Sequence, residues 1–313
     1  MFLGNRRAVH SPKRVKEKKK KLFWGSIFAL FFIAGGLLLG AWTTHLPEGT
    51  IANISVIGSS ALLEEGVRSY VEEAIGGNYL GLFSRANVLI YPRRSIEEGL
   101  LDFFPNFLSA SVSISDFPSI QVAIKEREPR YLWCGSFSLE EGVSGESASS
   151  TGAGEVREDK KPDAPSQKNC YFVDSDGVIF MVAPDFSGLV YFEFNGPSSG
   201  VAFRESSKSE FPLGYYLLPK GELEHVIAFK DYLNGLGIKS ERAHVLENGD
   251  INLVLLNGVK IFWNRAQIAQ TLLKNLDAAF GANIFSKNDL IRENSSLEYL
   301  DLRFDRKVYY RFN

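Results

Sequence analysis

The chain has 313 residues, of which 45% are hydrophobic and 23% are charged, and its formal net charge is -2. The charge is unevenly placed, because residues 1–21 hold nine Lys/Arg and one Glu, whereas the other 292 residues hold 26 Lys/Arg and 36 Asp/Glu. An acidic body of this kind excludes a uniformly basic nucleic-acid-binding protein, since it repels phosphates. Two cysteines and four histidines are also too few and too scattered to favour a structural zinc site.

Residues 22–44 contain no charged residue, and a helix of this length, about 34 Å, is long enough to cross a membrane. Trp24 and Trp42 lie near its two ends, where indole rings prefer the interface. A run of lysines at 18–21 precedes the segment, so the positive-inside rule predicts a cytoplasmic N-terminus. We therefore predict a single-pass type II protein of the cytoplasmic (inner) membrane, with its bulk outside.

Two other interpretations of 22–44 are a cleaved signal peptide and a buried helix of a soluble domain. A signal peptide has a shorter apolar region and a small-residue cleavage site, which 41–43 match poorly. The basic tail, 1–21, is expected to contact anionic membrane lipid.

The first predicted module has the order β-α-α-β-β over 50–128. Apolar and polar residues alternate at 51–57, 108–115 and 119–126, which indicates strands. The helices are expected after Ser59-Ser60, ending before Gly76-Gly77, and at 93–103, ending before Pro105.

The rest of the chain, 129–313, predicts a mainly antiparallel sheet with helices on one face. The predicted strands are 130–137, 170–174, 178–182, 188–194, 243–247, 251–256, 259–263, 297–303 and 307–312. Asn257-Gly258 is a strong hairpin signal, and a last hairpin is expected to turn at 305–306. Two helices, at 219–236 and 265–280, interrupt the strands. The fold class is α+β.

Residues 138–168 are rich in Ser, Gly, Glu and Lys and almost lack large apolar residues, so they predict a disordered loop insertion. Cys134 and Cys170 bracket this insertion, each beside a predicted strand. If those strands pair, a disulfide is within reach, and an extracytoplasmic location permits oxidation. The alternative is a pair of reduced, half-buried thiols.

Local motifs of catalysis are missing from the sequence, which contains no HExxH, CxxC, GxSxG or P-loop pattern. The histidines are isolated along the chain, and the sequence at 174–177, DSDG, predicts a turn rather than a calcium loop. We therefore expect no enzymatic activity, catalytic residue, cofactor, metal, nucleic acid or small-molecule substrate.

The order of these features resembles the bacterial cell-division family FtsQ, called DivIB in some bacteria. The most specific segment, VAIKEREP at 122–129, is similar to the family pattern V-x-I-x-E-R-x-P, and LDLRF at 300–304 is similar to I-D-L-R-Y. The other segments that carry the resemblance are 54–58, 104–107, 110–112, 171–174 and 177–180.

This resemblance implies a POTRA domain at 50–128 and an FtsQ-type β domain at 129–313. It further implies a non-enzymatic scaffold at the division septum, linking divisome membrane proteins such as FtsB/DivIC-like and FtsL-like coiled-coil proteins. In this family the last strands contact the partner. The residues that take this role here are Phe304, Val308, Tyr309, Tyr310, Arg311 and Phe312.

A terminal strand is often a sheet edge, which accepts a partner strand through unpaired main-chain groups. About half of the aromatic side chains in 304–312 are nevertheless expected to pack into the core. Glu126, Arg127, Glu128 and Pro129 are interpreted as a domain junction rather than a binding site. The alternatives to the scaffold are a POTRA adaptor in outer-membrane protein assembly or secretion, and a membrane-anchored cell-wall enzyme.

Overall fold

A computed structural model describes residues 12–135, 170–206, 211–219, 221–282, 285–304 and 307–313 of the chain. The predicted disordered insertion at 138–168, residues 1–11 of the basic tail and the predicted turn at 305–306 lie outside the described residues. The chain divides into two compact units. The first comprises Met1–Leu100 and Ser109–Lys125, and the second comprises Leu101–Leu108 and Glu126–Asn313.

The first unit begins with a long helix, α1, which spans Pro12–Thr44. Its segment Lys20–Thr44 is 25 residues long and apolar enough to cross a membrane, and none of its most apolar stretch is buried within the protein. An exposed apolar helix near the N-terminus is consistent with one membrane span or with a signal sequence.

The remainder of the first unit places two helices beside a small sheet with the strand order β1-β5-β4. Its elements are β1 (Ile54–Ile57), α2 (Ala61–Ile75), β2 (Asn78–Tyr79), β3 (Phe83–Ser84), α3 (Arg93–Phe103), β4 (Phe107–Ile114) and β5 (Ile120–Glu126). β1 and β5 pair in parallel. Val67 and Val71 of α2, Ile96 and Leu100 of α3, and Val122 of β5 are fully buried, so each helix contributes one apolar face to the core.

Two predictions for this unit need correction. The first strand begins at Ile54 rather than at residue 51, because Ala52 donates its N–H to the loop residue Pro118. The predicted order β-α-α-β-β also omits a short hairpin that the structure contains. This hairpin, β2–β3, lies between the helices and pairs Asn78 with Ser84. Strands of two residues carry no alternation that a sequence pattern can detect.

The second unit is built on a ten-stranded mixed sheet with the order β10-β8-β7-β6-β9-β11-β12-β13-β14-β15. Its strands are β6 (Tyr131–Cys134), β7 (Tyr171–Val173), β8 (Val178–Val182), β9 (Phe192–Asn195), β10 (Tyr215–Tyr216), β11 (Ser240–Val245), β12 (Asp250–Leu255), β13 (Lys260–Asn264), β14 (Leu297–Asp301) and β15 (Tyr309–Phe312). Six of the nine neighbouring pairs are antiparallel. The pairs β6–β9, β9–β11 and β13–β14 are parallel.

Helices α4 (Glu222–Gly235) and α5 (Ala269–Gly281) contribute to the main core of this unit. Phe229 of α4 packs its ring at 5.0 Å from that of Trp263 on β13, and both side chains are fully buried. A second, smaller cluster contains Leu132, Cys134 and Phe172, which alternate along β6 and β7 with residues of the main core. The two helices therefore cover one face of the sheet, as predicted, and the small cluster lies on the other.

Several predicted bounds in this unit differ from the structure. The helix predicted at 219–236 begins at Glu222, directly after Gly221 with its φ of 91°, and the helix predicted at 265–280 begins at Ala269. The strand predicted at 188–194 is Phe192–Asn195, and β10 was not predicted. The strand predicted at 297–303 ends at Asp301, whose side chain accepts hydrogen bonds from Arg303.

Candidate partner-binding surface

β15 is the last strand of the ten-stranded sheet, so one of its two long edges has no neighbouring strand among the described residues. It pairs antiparallel with β14, in the register Leu300 to Tyr310 and Asp301 to Tyr309. Asn313 donates its N–H to Ser296 at 2.7 Å. Because main-chain groups alternate in direction along a strand, this bond directs the N–H and C=O groups of Tyr310 and Phe312 away from β14.

One face of β15 borders an apolar groove. Val308 packs against the main core, and the rings of Tyr310 and Phe312 lie 5.6 Å apart on the same face. The groove, with a volume of about 410 Å³, lies between this strand and α5. Its lining consists of Asn275, Ala278, Ala279, Ala282, Phe285, Val308 and Tyr310. The alanines keep the helix side of the groove shallow and apolar.

The other face of β15 carries an aromatic pair and an ion pair. The ring of Tyr309 lies 5.0 Å from that of Phe304. Arg311 places its Nε 3.0 Å from Glu298 Oε2, and its side chain remains 66% exposed. Such an exposed pair contributes little to stability, so exchanging Glu298 for an acidic group of a partner would cost little.

The expectation that half of these aromatic side chains pack inward is wrong. Tyr309, Tyr310 and Phe312 are 48%, 40% and 41% exposed, and Phe304 is 47% exposed. Val308 is packed against the core, and Tyr310, although 40% exposed, keeps its ring 6.3 Å from that of buried Phe285. A row of exposed aromatics beside unpaired main-chain groups is an arrangement typical of interfaces.

A charged network supports the hairpin that presents this surface. Arg303 Nη1 donates to Asp250 Oδ2 at 2.9 Å, and its Nη2 and Nε donate to Asp301 at 2.6 and 2.9 Å. Asn264 and Asn248 also donate to Asp250. The two carboxylates are buried, so the guanidinium between them satisfies charges that water does not reach.

The hydrogen bonds of this network shift the pKa values of Asp250 and Arg303. Burial acts to raise the pKa of Asp250, but the hydrogen bonds from Arg303, Asn264 and Asn248 outweigh burial and hold that pKa below its ordinary value. The hydrogen bonds to Asp301 and then to Asp250 raise the pKa of Arg303. Both groups therefore stay ionised at neutral pH.

Sequence reasoning missed this network and the groove. Asp250 and Arg303 are 53 residues apart in sequence, and only the register of the sheet brings them together. The pattern L-D-L-R-F at 300–304 was a signal for the resemblance, but its physical role, anchoring the last hairpin, was not predicted.

The residues predicted as a domain junction lie where the chain passes from the first unit to the second, at Lys125 and Glu126. Arg127 is buried, forms an ion pair with buried Asp174, and donates from Nε to the Pro105 carbonyl at 3.1 Å. Asp174 Oδ1 also accepts from the N–H groups of Asp176 and Val178, which closes the turn predicted at 174–177. Arg127 thus links the Pro105 carbonyl to the β7–β8 turn, within the second unit.

The neighbours of Arg127 are more exposed. Glu128 pairs with Arg130 at 3.3 Å, and both side chains are largely exposed. Glu126 and Pro129 are half-buried. This distribution gives Arg127 a structural role and leaves no charged cleft at these four positions.

Cys134 and Cys170 form a disulfide in the structure. The paired strands β6 and β7 bring the two residues together, although they are 36 positions apart in sequence. Cys134 is buried in the small cluster with Leu132, Phe172 and Phe180. The bond closes the loop that contains the predicted insertion.

In comparison with known proteins, no protein-family model matches the chain, and no curated protein shows significant similarity to it. Among the described residues, no group of three or more His, Cys, Asp and Glu side chains is placed to hold a metal ion.

Proposed function

We propose that this chain is a non-enzymatic cell-division scaffold of the FtsQ/DivIB type, held in the cytoplasmic membrane by α1 and recruiting divisome proteins to the septum through β15. The observation that carries the proposal is the edge of β15, where the main-chain groups of Tyr310 and Phe312 point away from β14 beside a row of exposed aromatics.

The geometry of β15 supports binding of an extended segment. A partner strand that pairs with β15 satisfies the outward N–H and C=O groups and extends the sheet. Its alternate side chains then fall on the face that carries the groove, where Val308, Tyr310 and α5 offer an apolar site of about 410 Å³. Main-chain bonds would supply affinity, and the groove would supply selectivity for apolar side chains.

The partners proposed are coiled-coil proteins with a single membrane span, of the FtsB/DivIC-like and FtsL-like classes. An extended segment beyond the coiled coil of such a protein would pair with β15. The exposed cation of Arg311 favours a partner whose segment carries an acidic residue at the corresponding position.

Residues 50–128 are proposed to be a POTRA domain. Two helices beside the sheet β1-β5-β4 support this assignment, and the hairpin β2–β3 is an addition to the expected order. The exposed apolar surface of α1 supports a retained membrane span, with the N-terminus in the cytoplasm and residues 45–313 outside.

The test is co-purification of the full-length chain from membranes of dividing cells. The variant Tyr310→Lys keeps the strand but replaces the groove-lining ring with a charge. The matched control is Phe211→Lys, because Phe211 is exposed to 42% and contacts Tyr215 at the opposite edge of the same sheet.

The expected result is that wild type and Phe211→Lys capture small single-span coiled-coil proteins, whereas Tyr310→Lys loses them. Equal capture by all three forms would overturn the role of β15. Capture of an outer-membrane barrel protein instead would support the adaptor function and overturn the scaffold.

A further inference from the structure

We propose that the β2–β3 hairpin and the turn after it form a second membrane-contacting element, which rests in the outer interface of the bilayer that α1 crosses. The surface consists of Leu80, Leu82, Leu89 and Ile90, together with Tyr79. The proposal rests on α1 being a retained span, as in the proposed function, but it concerns the depth of a different part of the chain.

Hydrogen bonds fix the hairpin to the end of α1. Ser84 donates its N–H to Thr44 Oγ1 at 3.1 Å, and His45 Nε2 lies 3.0 Å from the Leu82 carbonyl. Asn87 adds a bond from Nδ2 to the Thr44 carbonyl at 3.3 Å. All of these residues belong to the first unit. The hairpin therefore holds a fixed depth relative to the last turn of the helix.

The hairpin lies at the depth of the last turn of α1. The ring of Phe83 reaches back along α1, and its Cε1 would lie 3.7 Å from a Cβ atom at Gly40. Gly40 is four residues before Thr44, which corresponds to about 6 Å along the helix axis. Trp42 lies between these two residues and is exposed, as expected for an indole ring at a membrane interface. A segment beside this turn lies at the level of the headgroups and the upper acyl chains.

The hairpin and the turn after it expose an apolar surface beside the last turn of α1. Leu80 is 92% exposed, the largest fraction among the large hydrophobic side chains that the structure describes. It occupies a position with φ of 51°, a conformation that usually selects Gly or Asn. Leu89 is 75% exposed, and Leu82 and Ile90 are also exposed. The chain places leucine at a strained, fully exposed turn, where water gives it no stabilisation and lipid does.

The side chains of Arg85 and Tyr79, beside this apolar surface, also suit the headgroup region of a membrane. The guanidinium of Arg85 lies 5.0 Å above the ring of Tyr79. Tyrosine and arginine both have an apolar body and a polar end, and both are stable at the headgroup level. Asn87 links the two parts of the surface, because its side chain bonds Thr44 and also accepts from the N–H of Leu89.

The experiment measures depth in the full-length chain, reconstituted into vesicles of phosphatidylethanolamine and phosphatidylglycerol. Single cysteines at Leu80→Cys and Leu89→Cys carry an environment-sensitive fluorophore, with nitroxide lipids as quenchers. The native cysteines are joined in a disulfide and do not react without reductant. The matched control is Ile57→Cys, an exposed apolar position at the far end of β1, and Leu38→Cys reports on α1 itself.

The expected result is a shift of emission to shorter wavelength and quenching by nitroxide lipid at Leu80, Leu89 and Leu38, with neither change at Ile57. Aqueous emission at both Leu80 and Leu89, with Leu38 in lipid, would overturn the second element and leave the anchor intact. An aqueous environment at Leu38 as well would show that α1 does not span, which overturns the proposed membrane location.

Discussion

Arg303 bonds Asp250 at 2.9 Å and so ties the segment after β14 to the start of β12, two strands away in the sheet. The same guanidinium binds Asp301 through two nitrogens. The exposed strand β15 follows this clamp directly. The position of the proposed binding edge therefore depends on this polar network as well as on the pairing of β15 with β14 and the packing of Val308 against the core.

Removal of the guanidinium is expected to destabilise the second unit. Arg303→Met leaves the buried carboxylates of Asp250 and Asp301 without their cation, which we expect to lower the free energy of unfolding by about 2 kcal/mol, since the arginine is partly exposed. Urea unfolding followed by tryptophan fluorescence measures this. Arg292→Met, at an exposed arginine, is the control and should leave the midpoint unchanged.

The same network predicts a loss of stability in acid. The pKa of Asp250 is lower in the folded protein than its ordinary value of 3.8, so the ionised carboxylate stabilises the fold above about pH 4. That stabilisation is lost as the pH falls through the folded pKa. The free energy of unfolding should therefore decrease as the pH falls below the ordinary carboxyl pKa of 3.8, and less steeply in Asp250→Asn than in wild type. An equal slope in both proteins, with Asp185→Asn as the exposed control, would contradict the role of Asp250.

Breaking the buried ion pair between Arg127 and Asp174 is expected to reduce stability more than removing the Arg303 guanidinium does. Asp174→Ala leaves Arg127 as an unpaired buried charge and opens the turn before β8, so we expect a loss of about 3–5 kcal/mol. Glu128→Gln disrupts an exposed pair and should change the unfolding free energy by less than about 0.5 kcal/mol. Thermal unfolding of the two variants beside wild type measures the difference, and equal melting temperatures would refute the structural role of Arg127.

The disulfide is expected to stabilise the second unit by restricting its unfolded state. The bond closes a segment of 36 residues. The double variant Cys134→Ser/Cys170→Ser should therefore be about 2–4 kcal/mol less stable. Intact mass after alkylation without reductant provides the direct check, and two alkylated thiols in the unreduced protein would show that the bond does not form.

Partner binding by strand addition predicts a difference between two substitutions at one position. Phe312→Ala removes only the ring, whereas Phe312→Pro also removes a main-chain N–H that points away from β14. If a partner strand bonds this edge, the proline variant should bind at least about tenfold more weakly than the alanine variant, as loss of a main-chain hydrogen bond at a buried edge implies. Equal binding, with unchanged circular dichroism, would show that side chains alone carry the contact.

The sequence predicted elements whose signals are local. The helix at 93–103 has its apolar residues at helical spacing and ends before Pro105, and it matches α3 residue for residue. Asn257-Gly258 predicted the β12–β13 hairpin, since this dipeptide favours the tight turn between antiparallel strands. The α+β class follows from similar periodic signals, and the apolar N-terminal helix follows from the uncharged run at 22–44.

Relationships between distant segments were beyond a sequence pattern. The apolar run at 188–194 indicates a strand, but it does not reveal that β9 pairs in parallel with both β6 and β11. The orientation of Tyr310 depends on the register with β14, and the Arg303 network depends on three strands meeting at one end of the sheet. Long-range register, not composition, determines the candidate surface.

The most direct test of the central claim is the position of the full-length chain in dividing cells, with a fluorescent tag on the N-terminus proposed to be cytoplasmic. A scaffold of the division machinery should form a band at the septum, and Tyr310→Lys should reach the membrane but fail to recruit its tagged coiled-coil partner there. An even peripheral signal in cells that are visibly constricting would contradict the proposed function.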